Sequence, residues 1–505
     1  MPFSIMSSSF WADYGVVSIL LSLIAAYGIS SAFYFSYLHP LSRYPGPRLA
    51  AVSNLWYAYH WLSGRYPWAI EDALRTYGPV VRIAPNELVF FTPAAFTDIY
   101  APHHKNLETF VKTDFQDRGQ DLGGIIWERD PHRHREVARK LSSAFSSRTV
   151  RKMEPLVHKY IDYFVARMKE LGSDGVPIAR WTNWLAMDLS ADMAWNEKMY
   201  QMRDMKDSIH LDVLISFNKF ATVMQVFKRF PLLRPFQYLF VPITKVRVFS
   251  AMEAVTRESI LRRIDQRGKT EHEDYFDYIL PPDSPVPTDT RELVHIASVS
   301  LQTMFAAWGP MADLFYGALV LLLHEPSSYE VLVQEIRGQF KAYDAITPTA
   351  VNSLAYLQAC LEETLRLLPS NDTGLPRTSP GATVDGQYIP KGTTVQTSIW
   401  ALARSPRFFH QPLHFRPQRW LPASHPLYDP AFREDHLSSL YPFSLGPRIC
   451  LGREMAWMQG RLFLAKVLWT FNIEKLDDQY FELEKDLLHY GFFEKPELMV
   501  RFVPA

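Results

Sequence analysis

A single cysteine near the C-terminus has neighbours that could make its sulfur reactive. In "PFSLGPRICLGREMAWMQGRLFLAKVLWTF", Cys450 follows a turn-rich loop and stands where an amphipathic helix begins. Unpaired amide donors and the helix dipole favour a thiolate at that place, and Arg448 adds a positive charge nearby. Such a thiolate could ligate a metal or act as a nucleophile, whereas a lone cysteine is more often an inert buried side chain. The spacing of the surrounding residues decides between these interpretations.

Five positions around the cysteine match the pattern F-x-x-G-x-R-x-C-x-G. They are Phe443, Gly446, Arg448, Cys450 and Gly452. This segment resembles the haem-binding loop of the cytochrome P450 family. The resemblance implies that Cys450 is the axial ligand of the iron of haem b, where its electron density favours O–O cleavage. It also implies that Arg448 pairs with a haem propionate, that Phe443 shields the sulfur, and that the two glycines let the backbone turn close under the porphyrin.

Further motifs of the same family occur in the family's order. "EETLR" places Glu363 and Arg366 three residues apart on one helix face, although such pairs, like that in "EVAR", are usually solvated. "GLPR" and "HFRPQRW" follow, and in the resembling family a glutamate and two arginines lock the core beneath the haem, here Glu363, Arg366 and Arg419. Arg377 of "GLPR" matches a propionate partner. Cys360 of "LQACLEETLR" lacks the loop setting, so we expect it to pack within a helix.

The segment "WERDPHRHREVARKLSSAFSS" resembles the helix that crosses the haem edge in this family. His134 matches the position of a propionate donor. One turn later the family usually has arginine, but this chain has Ala138, and the adjacent Arg139 is a substitute candidate. Surplus basic residues usually form only a solvated face, yet beside the thiolate side of a haem they would suit an acidic electron-donating partner. These residues are Arg133, Arg135, Lys140, Arg151 and Lys152.

The apolar run from Leu293 to Leu323 predicts a long helix with Thr288 or Asp289 as its N-cap. A proline inside a helix costs about 3 kcal/mol, and here "AAWGPM" contains one. Counting back from "LLLHEPS", this stretch falls where the family has A-G-x-(D/E)-T-(T/S) above the haem. Ala306 fits that pattern, whereas Gly309 replaces the acid and Pro310 replaces the threonine that normally help deliver protons to bound oxygen.

We therefore assign the distal catalytic face to Ala306, Gly309 and Pro310, with the usual acid and threonine absent. Pro310 frees the Ala306 carbonyl, so a water held there could relay protons. Thr303 or Asp313, one turn away, could supply a donor, and a hydroxyl of the substrate is a further alternative.

The N-terminal residues 1–38 are predicted to form a membrane anchor that spans the bilayer over about residues 15–37. No charged side chain occurs from Tyr14 to Leu38, and a span needs about 20 apolar residues. A secretory signal peptide is the alternative, but no basic segment precedes the run and aromatic residues crowd its exit. Because Arg43 and Arg48 follow the span, we expect a single-pass protein of the endoplasmic reticulum with its catalytic domain in the cytosol.

A proline-rich linker is predicted for residues 39–48, followed by one haem domain over residues 49–505. Its periodicity predicts a mainly α fold with small β sheets, the cytochrome P450 fold by resemblance. The net charge of zero gives no indication of nucleic-acid binding, and two cysteines in 505 residues exclude a disulfide framework. Pocket candidates are Leu122–Trp127, Phe217–Phe227, Trp308 and Asn371–Leu375, although such aromatic stretches more often belong to the core.

The resemblance implies a haem-thiolate monooxygenase that uses molecular oxygen and electrons from NADPH–cytochrome P450 reductase in the membrane. "LWYAYHWLSGRYPW" and "EKPELMVRF" are similar to fungal members that tailor secondary metabolites, so the expected substrate is a hydrophobic polyketide, terpenoid or alkaloid. Two alternatives stay open at this point. One is a haem-thiolate isomerase, dehydratase or cyclase without oxygen insertion, and the other is a haem-binding protein without turnover.

Overall fold

Helices make up most of the chain in a computed structural model. The described residues are 8–105, 107–115, 124–241, 243–370, 372, 374–476, 479 and 482–505, with the backbone alone for 8–17, 20, 243–245 and 249. The α-helices are α1 Ser8–Phe33, α2 Arg48–Val52, α3 Leu55–Leu62, α4 Tyr66–Tyr77, α5 Pro93–Tyr100, α6 Pro131–Ser142, α7 Ser147–Lys152, α8 Glu154–Leu171, α9 Ile178–Trp195, α10 Gln201–Asp204, α11 Ile209–Phe227, α12 Ile243–Asp265, α13 Phe276–Ile279, α14 Thr290–His324, α15 Pro326–Gln339, α16 Pro348–Val351, α17 Ala355–Leu367, α18 Ile399–Ala403, α19 Arg453–Thr470 and α20 Leu483–Asp486.

Short strands form small sheets at the sides of the helical core. The strands are β1 Val80–Ala84, β2 Glu87–Phe90, β3 His103–His104, β4 Leu107–Glu108, β5 Val111–Lys112, β6 Val176–Pro177, β7 Arg377–Thr378, β8 Ala382–Val384, β9 Gln387–Ile389, β10 Thr394–Thr397, β11 Phe471–Lys475, β12 Leu488–His489, β13 Phe493–Glu494 and β14 Met499–Pro504. The largest sheet has the order β1-β2-β10-β7-β5, and a second has the order β11-β14-β6. The remaining strands pair as hairpins. The predicted class, mainly α with small sheets, is confirmed.

The long helix α14 runs through the centre of the core. It is apolar and long enough to cross a membrane, but most of it is buried inside the protein against α9, α17 and α19. Its first turn is capped by Asp289, whose carboxylate accepts from the Arg291 amide at 2.9 Å. The α-helix continues without interruption through Pro310. The predicted helix and one of its two candidate caps are thus confirmed.

The N-terminal helix α1 extends from the core, and none of the apolar stretch Leu21–Leu38 is buried. It passes into a π-helical turn, Tyr34–Leu38, that is tied to the sheet. There the buried Arg82 donates to the Phe35 carbonyl at 2.8 Å. The last residues of the predicted anchor therefore contact the domain that follows them.

A charge-balanced cluster of fully buried side chains joins α17 to the segment before the cysteine loop. Arg366 donates to both carboxylate oxygens of Glu363 at 2.8 Å, and Arg419 Nε donates to Glu363 Oε1 at 3.1 Å. Arg419 also pairs with Asp435. Burial alone would raise the pKa of Glu363, but the two guanidinium groups hold it below its usual value. The three residues for which the resemblance implied a lock, Glu363, Arg366 and Arg419, are thus in direct contact.

We expect Glu363→Gln to destabilise the chain by about 3–5 kcal/mol, because it leaves two buried guanidinium groups undercompensated. Glu136→Gln is the matched control, because "EVAR" has the same spacing but Glu136 and Arg139 are exposed. This variant should change the free energy of unfolding by no more than about 0.5 kcal/mol. Urea unfolding of both variants measures the difference. Equal midpoints for Glu363→Gln and the unaltered chain would contradict a role of this cluster in stability.

Candidate functional site

The cysteine loop is closed by backbone hydrogen bonds at the start of α19. Cys450 follows a 3-10 turn, Gly446–Arg448, and its amide donates to the Phe443 carbonyl at 2.8 Å. The Gly452 amide in turn donates to the Cys450 sulfur. The Phe443 ring packs edge-on against Trp457 of α19, with 5.4 Å between ring centroids. The loop thus places the sulfur at the N-terminal end of a long helix, as the sequence predicts.

The surroundings of the Cys450 sulfur act on its pKa in opposite directions. Burial has the largest effect and raises the pKa of the thiol, whereas the Gly452 amide and the Arg453 guanidinium lower it. The side chain keeps a solvent-accessible face, so protein surrounds the sulfur only on its other sides. The helix terminus lowers the pKa as predicted, but burial outweighs it. Cys360 is fully buried in α17, and burial raises the pKa of its thiol well above the usual value.

The two glycines of the motif have different structural roles. Gly446 has φ +67°, and a Cβ on it would lie 2.2 Å from the carbonyl oxygen of Tyr100 at the end of α5. Only glycine fits there without a shift of the backbone. Gly452 has φ −80°, and its Cβ would have no neighbour closer than the Cys450 sulfur at 3.8 Å. The close approach therefore explains Gly446 but not Gly452.

Above the loop, side chains from separate parts of the sequence form a buried basic cluster: Lys112, His134, Arg377 and Arg448. Lys112 and Arg377 are 5% and 4% exposed, and they are direct cross-strand partners on β5 and β7. Like charges placed opposite each other destabilise a sheet. Arg448 Nε donates to Glu108 Oε1 at 2.7 Å. Among the described residues, Glu108 is the one carboxylate that forms an ion pair with a member of this basic cluster.

The basic cluster shifts the pKa values of its own members. Burial, followed by the nearby Arg448, Lys112 and Arg377, lowers the pKa of His134 to about 3. Burial and the two arginines also lower the pKa of Lys112 well below its usual value. His134 is therefore neutral near pH 7, and three cations face one carboxylate when Lys112 is protonated. The surplus of two positive charges fits the two propionates of a haem. Arg448 Nη2 lies 2.5 Å from Glu108 Oε1, so the uncompensated charges are those of Lys112 and Arg377.

Sequence reasoning found three members of this basic cluster and missed the fourth, Lys112. Its signal is a lysine inside the short apolar segment "TFVKTDF", which is easily read as an exposed strand position. The suggested substitute, Arg139, is exposed on α6, where His134, Val137 and Leu141 form the buried face. It therefore does not share the face of His134 and does not belong to the basic cluster, whereas Lys112 does.

The distal face of α14 is defined by Ala306 and Pro310. Both are exposed although the turns before and after them are buried, and side chains four residues apart share a helix face. A cleft therefore reaches the core helix at this point. Gly309 lies elsewhere: a Cβ on it would lie 3.3 Å from Phe492 Cε1 in the turn of the β12–β13 hairpin. Of the three residues predicted for the catalytic face, the structure thus places two on the cleft.

The two suggested substitute donors have different surroundings. The Thr303 hydroxyl donates to the Val299 carbonyl at 2.8 Å, so its proton is used within the helix. Asp313 is buried, accepts from Lys495 Nζ at 2.7 Å and accepts from Ser370 Oγ at 3.0 Å. Neither Lys495 nor Ser370 was expected from the sequence, because each is far from Asp313 along the chain.

These features belong to a known family. A family model described as Cytochrome P450 matches residues 45–497. The cytochrome P450 monooxygenase TwmD of Talaromyces wortmannii is 50% identical over 94% of this chain and 95% of its own length, and poxC of Penicillium oxalicum is 36% identical over 94% and 92%. A crystal structure of the cytochrome P450DA heme domain superposes with a TM-score of 0.69 at 18% identity, covering 87% of this chain and 93% of that one. The chain belongs to the cytochrome P450 family.

Membership in this family settles the general activity. The chain is a haem-thiolate monooxygenase similar to fungal enzymes of secondary metabolism, and it uses haem, molecular oxygen and reductase-supplied electrons from NADPH. Nothing in the comparisons favours an isomerase, dehydratase or cyclase, or a haem protein without turnover.

Several of the predicted pocket segments contact α14, the helix that carries the cleft. Gln302 Oε1 accepts from the amides of Ile125 and Ile126 at 3.0 and 2.8 Å, which fixes that loop on α14. From α11, Asn218 donates to the Phe492 carbonyl at 3.2 Å, and the Trp308 ring packs on Phe492. Of the predicted pocket residues, four lie outside the described part of the chain: Leu122, Gly123, Asn371 and Thr373.

We expect Gly446→Ala and Gly452→Ala to differ although both alter the same motif. Gly446→Ala should lower the unfolding temperature and the haem content, because the methyl group meets the Tyr100 carbonyl and φ is positive. Gly452→Ala should fold and load haem nearly as the unaltered chain does, because its Cβ has room. Thermal unfolding and the absorption of the reduced carbon monoxide complex measure both. Equal losses in the two variants would contradict this explanation of the glycines.

Proposed function

We propose that Cys450 is the axial ligand of the haem iron and that the basic cluster holds the two propionates. The buried surplus of two positive charges on Lys112, Arg377 and Arg448 is the observation that carries this assignment. His134, neutral at pH 7, would donate a further hydrogen bond. Gly446 lets the loop approach α5, and Gly452 supplies the amide that donates to the sulfur. When bound, the haem supplies the oxygen chemistry, and the thiolate favours O–O cleavage.

Chain groups determine what surrounds the reacting centre. Ala306 and Pro310 give the cleft a small apolar floor on α14, and Gln302 fixes the neighbouring loop. This apolar floor suits a hydrophobic substrate held above the ring. Together with the fungal relatives, it supports a polyketide, terpenoid or alkaloid as the substrate class.

The electron donor we propose is NADPH–cytochrome P450 reductase, docked on the side of the cysteine loop. Basic residues on α6 and α7, including Arg135, Lys140 and Arg151, are exposed. The Phe145 ring between these helices is within 3.9 Å of a Cβ placed on Gly452, so this basic surface adjoins the cysteine loop. Positive potential at that place would steer an acidic partner towards the thiolate side of the haem.

The proposed location is the membrane of the endoplasmic reticulum, with α1 as a single span and the catalytic domain in the cytosol. A second apolar surface supports the membrane contact. The 3-10 segment Pro231–Phe240 exposes large apolar side chains, with Leu232 and Leu239 at 93% and 76% exposure. Exposed apolar side chains on one short segment indicate contact with another apolar phase, here the bilayer surface.

We expect Cys450→Ala to abolish the long-wavelength absorption band of the reduced carbon monoxide complex, which reports a thiolate ligand. Cys360→Ala is the matched control, and its band should persist because Cys360 is packed inside α17. Visible difference spectra of the two purified variants test the assignment. A band that survives in Cys450→Ala and disappears in Cys360→Ala would show that Cys360 is the ligand.

We expect the chain without residues 1–33 to fold and to dissociate from membranes more readily than the full-length chain. The cut leaves the turn Tyr34–Leu38 in place, because the Phe35 carbonyl accepts from the buried Arg82. Extraction of membranes at high pH measures the difference, with haem content as the control for folding. If the full-length chain were extracted as easily as the truncated one, the membrane span would be disproved.

A further inference from the structure

A buried ion pair lies beside the distal cleft, one helical turn beyond the missing acid and threonine. Asp313 follows Ala306 by seven residues and Pro310 by three, so all three lie on one face of α14. One turn later, at Gly317, this face packs against Leu368 and Thr364. Asp313 therefore stands where the open cleft ends and the closed core begins.

The partners of Asp313 come from two separate segments. Lys495 Nζ, from the segment after β13, donates to Asp313 Oδ1 at 2.7 Å, and both side chains are less than a tenth exposed. Ser370 Oγ, from the segment after α17, donates to Asp313 Oδ2 at 3.0 Å. Lys495 also lies 3.4 Å from Asn183 Oδ1. A buried ion pair of this kind is weak evidence for a purely stabilising role, because desolvation offsets most of the attraction.

This arrangement has the parts of a proton relay. Ser370 is only half-buried. Its hydroxyl donates to Asp313 in this structure, and a rotated hydroxyl can give its proton elsewhere while its oxygen accepts one from the Asp313 side. Lys495 holds exchangeable protons against the carboxylate, and Asp313 connects the two groups. The cleft needs such a relay, because Gly309 and Pro310 cannot donate or accept a proton through their side chains.

We propose that Ser370, Asp313 and Lys495 form the proton relay of the distal cleft and replace the absent acid and threonine. The Ser370 hydroxyl turns away from Asp313 and gives its proton to the cleft. Asp313 takes a proton from Lys495 and passes it to the Ser370 oxygen, and solvent restores the proton of Lys495. The overall reaction balances as substrate–H + O2 + NADPH + H+ giving substrate–OH + H2O + NADP+. The inference rests on the proposed function, because the relay matters only where oxygen is reduced.

The test uses the full-length holoenzyme with NADPH and the reductase, without an organic substrate. Oxygen reduction then still consumes protons, as O2 + NADPH + H+ giving H2O2 + NADP+. For Asp313→Asn we expect NADPH consumption in air to fall at least about tenfold, since well-placed acid–base groups contribute roughly 10²–10⁴-fold. The solvent deuterium isotope effect on that rate should increase. Asp313→Glu should restore part of the rate, because it retains the charge.

A second measurement separates the relay from a structural role. The rate at which the reductase converts the haem protein to its carbon monoxide complex needs electrons but no proton relay, and it should be unchanged in Asp313→Asn. Asp192→Asn is the matched control, because Asp192 on α9 is also a buried carboxylate that is paired with a lysine, Lys198. It should alter the unfolding temperature but not the isotope effect.

Each outcome decides the matter. Asp313→Asn with unchanged NADPH consumption and isotope effect would overturn the relay. If that variant loses haem, Ser370→Ala, which keeps the ion pair, takes its place, and unchanged kinetics in Ser370→Ala would overturn the relay as well. A chain that gives no thiolate-type carbon monoxide band, or reduces no oxygen, would instead refute the proposed function itself.

Discussion

The structure depends on a concentration of positive charge that the chain does not neutralise by itself. Lys112 and Arg377 face each other across two strands, and Arg448 lies beside them with Glu108 as its partner. Removing a charge from water costs several kcal/mol, and like charges in register add to that cost. Two negative charges in the same place would offset both the cost of desolvation and the repulsion between the cations. With the propionates at the proposed position, we expect the fold and the binding of haem to be linked, because the segments that carry these residues would gain most from the bound anions.

The Glu363 cluster shows what a self-sufficient buried network looks like in the same molecule. There two arginines, Arg366 and Arg419, meet two carboxylates, Glu363 and Asp435, and backbone carbonyls take the remaining donors. Charges balance and most donors are used, so the network can fix a fold without a ligand. The contrast in charge balance supports the proposal that the basic cluster binds an anionic group.

Local patterns were enough for much of this description. The apolar period predicts α14 with Thr288 or Asp289 as its cap, and the structure selects Asp289. The five spaced residues of the loop indicate the haem ligand. Other features depend on segments that meet only in the folded chain. The role of Lys112 requires the β5–β7 pairing, and the burial of Gly309 requires Phe492. No spacing rule could show these, because the contacts join residues more than a hundred positions apart.

The presence of Gly309 on α14, where the family usually has an acid, is physically linked to the sequence of the β12–β13 hairpin. Phe492 packs beside Gly309. A carboxylate at position 309 would therefore lose water against an aromatic ring, and that ring offers it no hydrogen-bond donor. Three residues later, Lys495 provides a donor for Asp313. Four residues of helix separate 309 from 313, a shift of about 6 Å along the axis with little rotation. The hairpin and the lysine that follows it thus exclude an acid at the first position and stabilise one at the second, one turn further along α14.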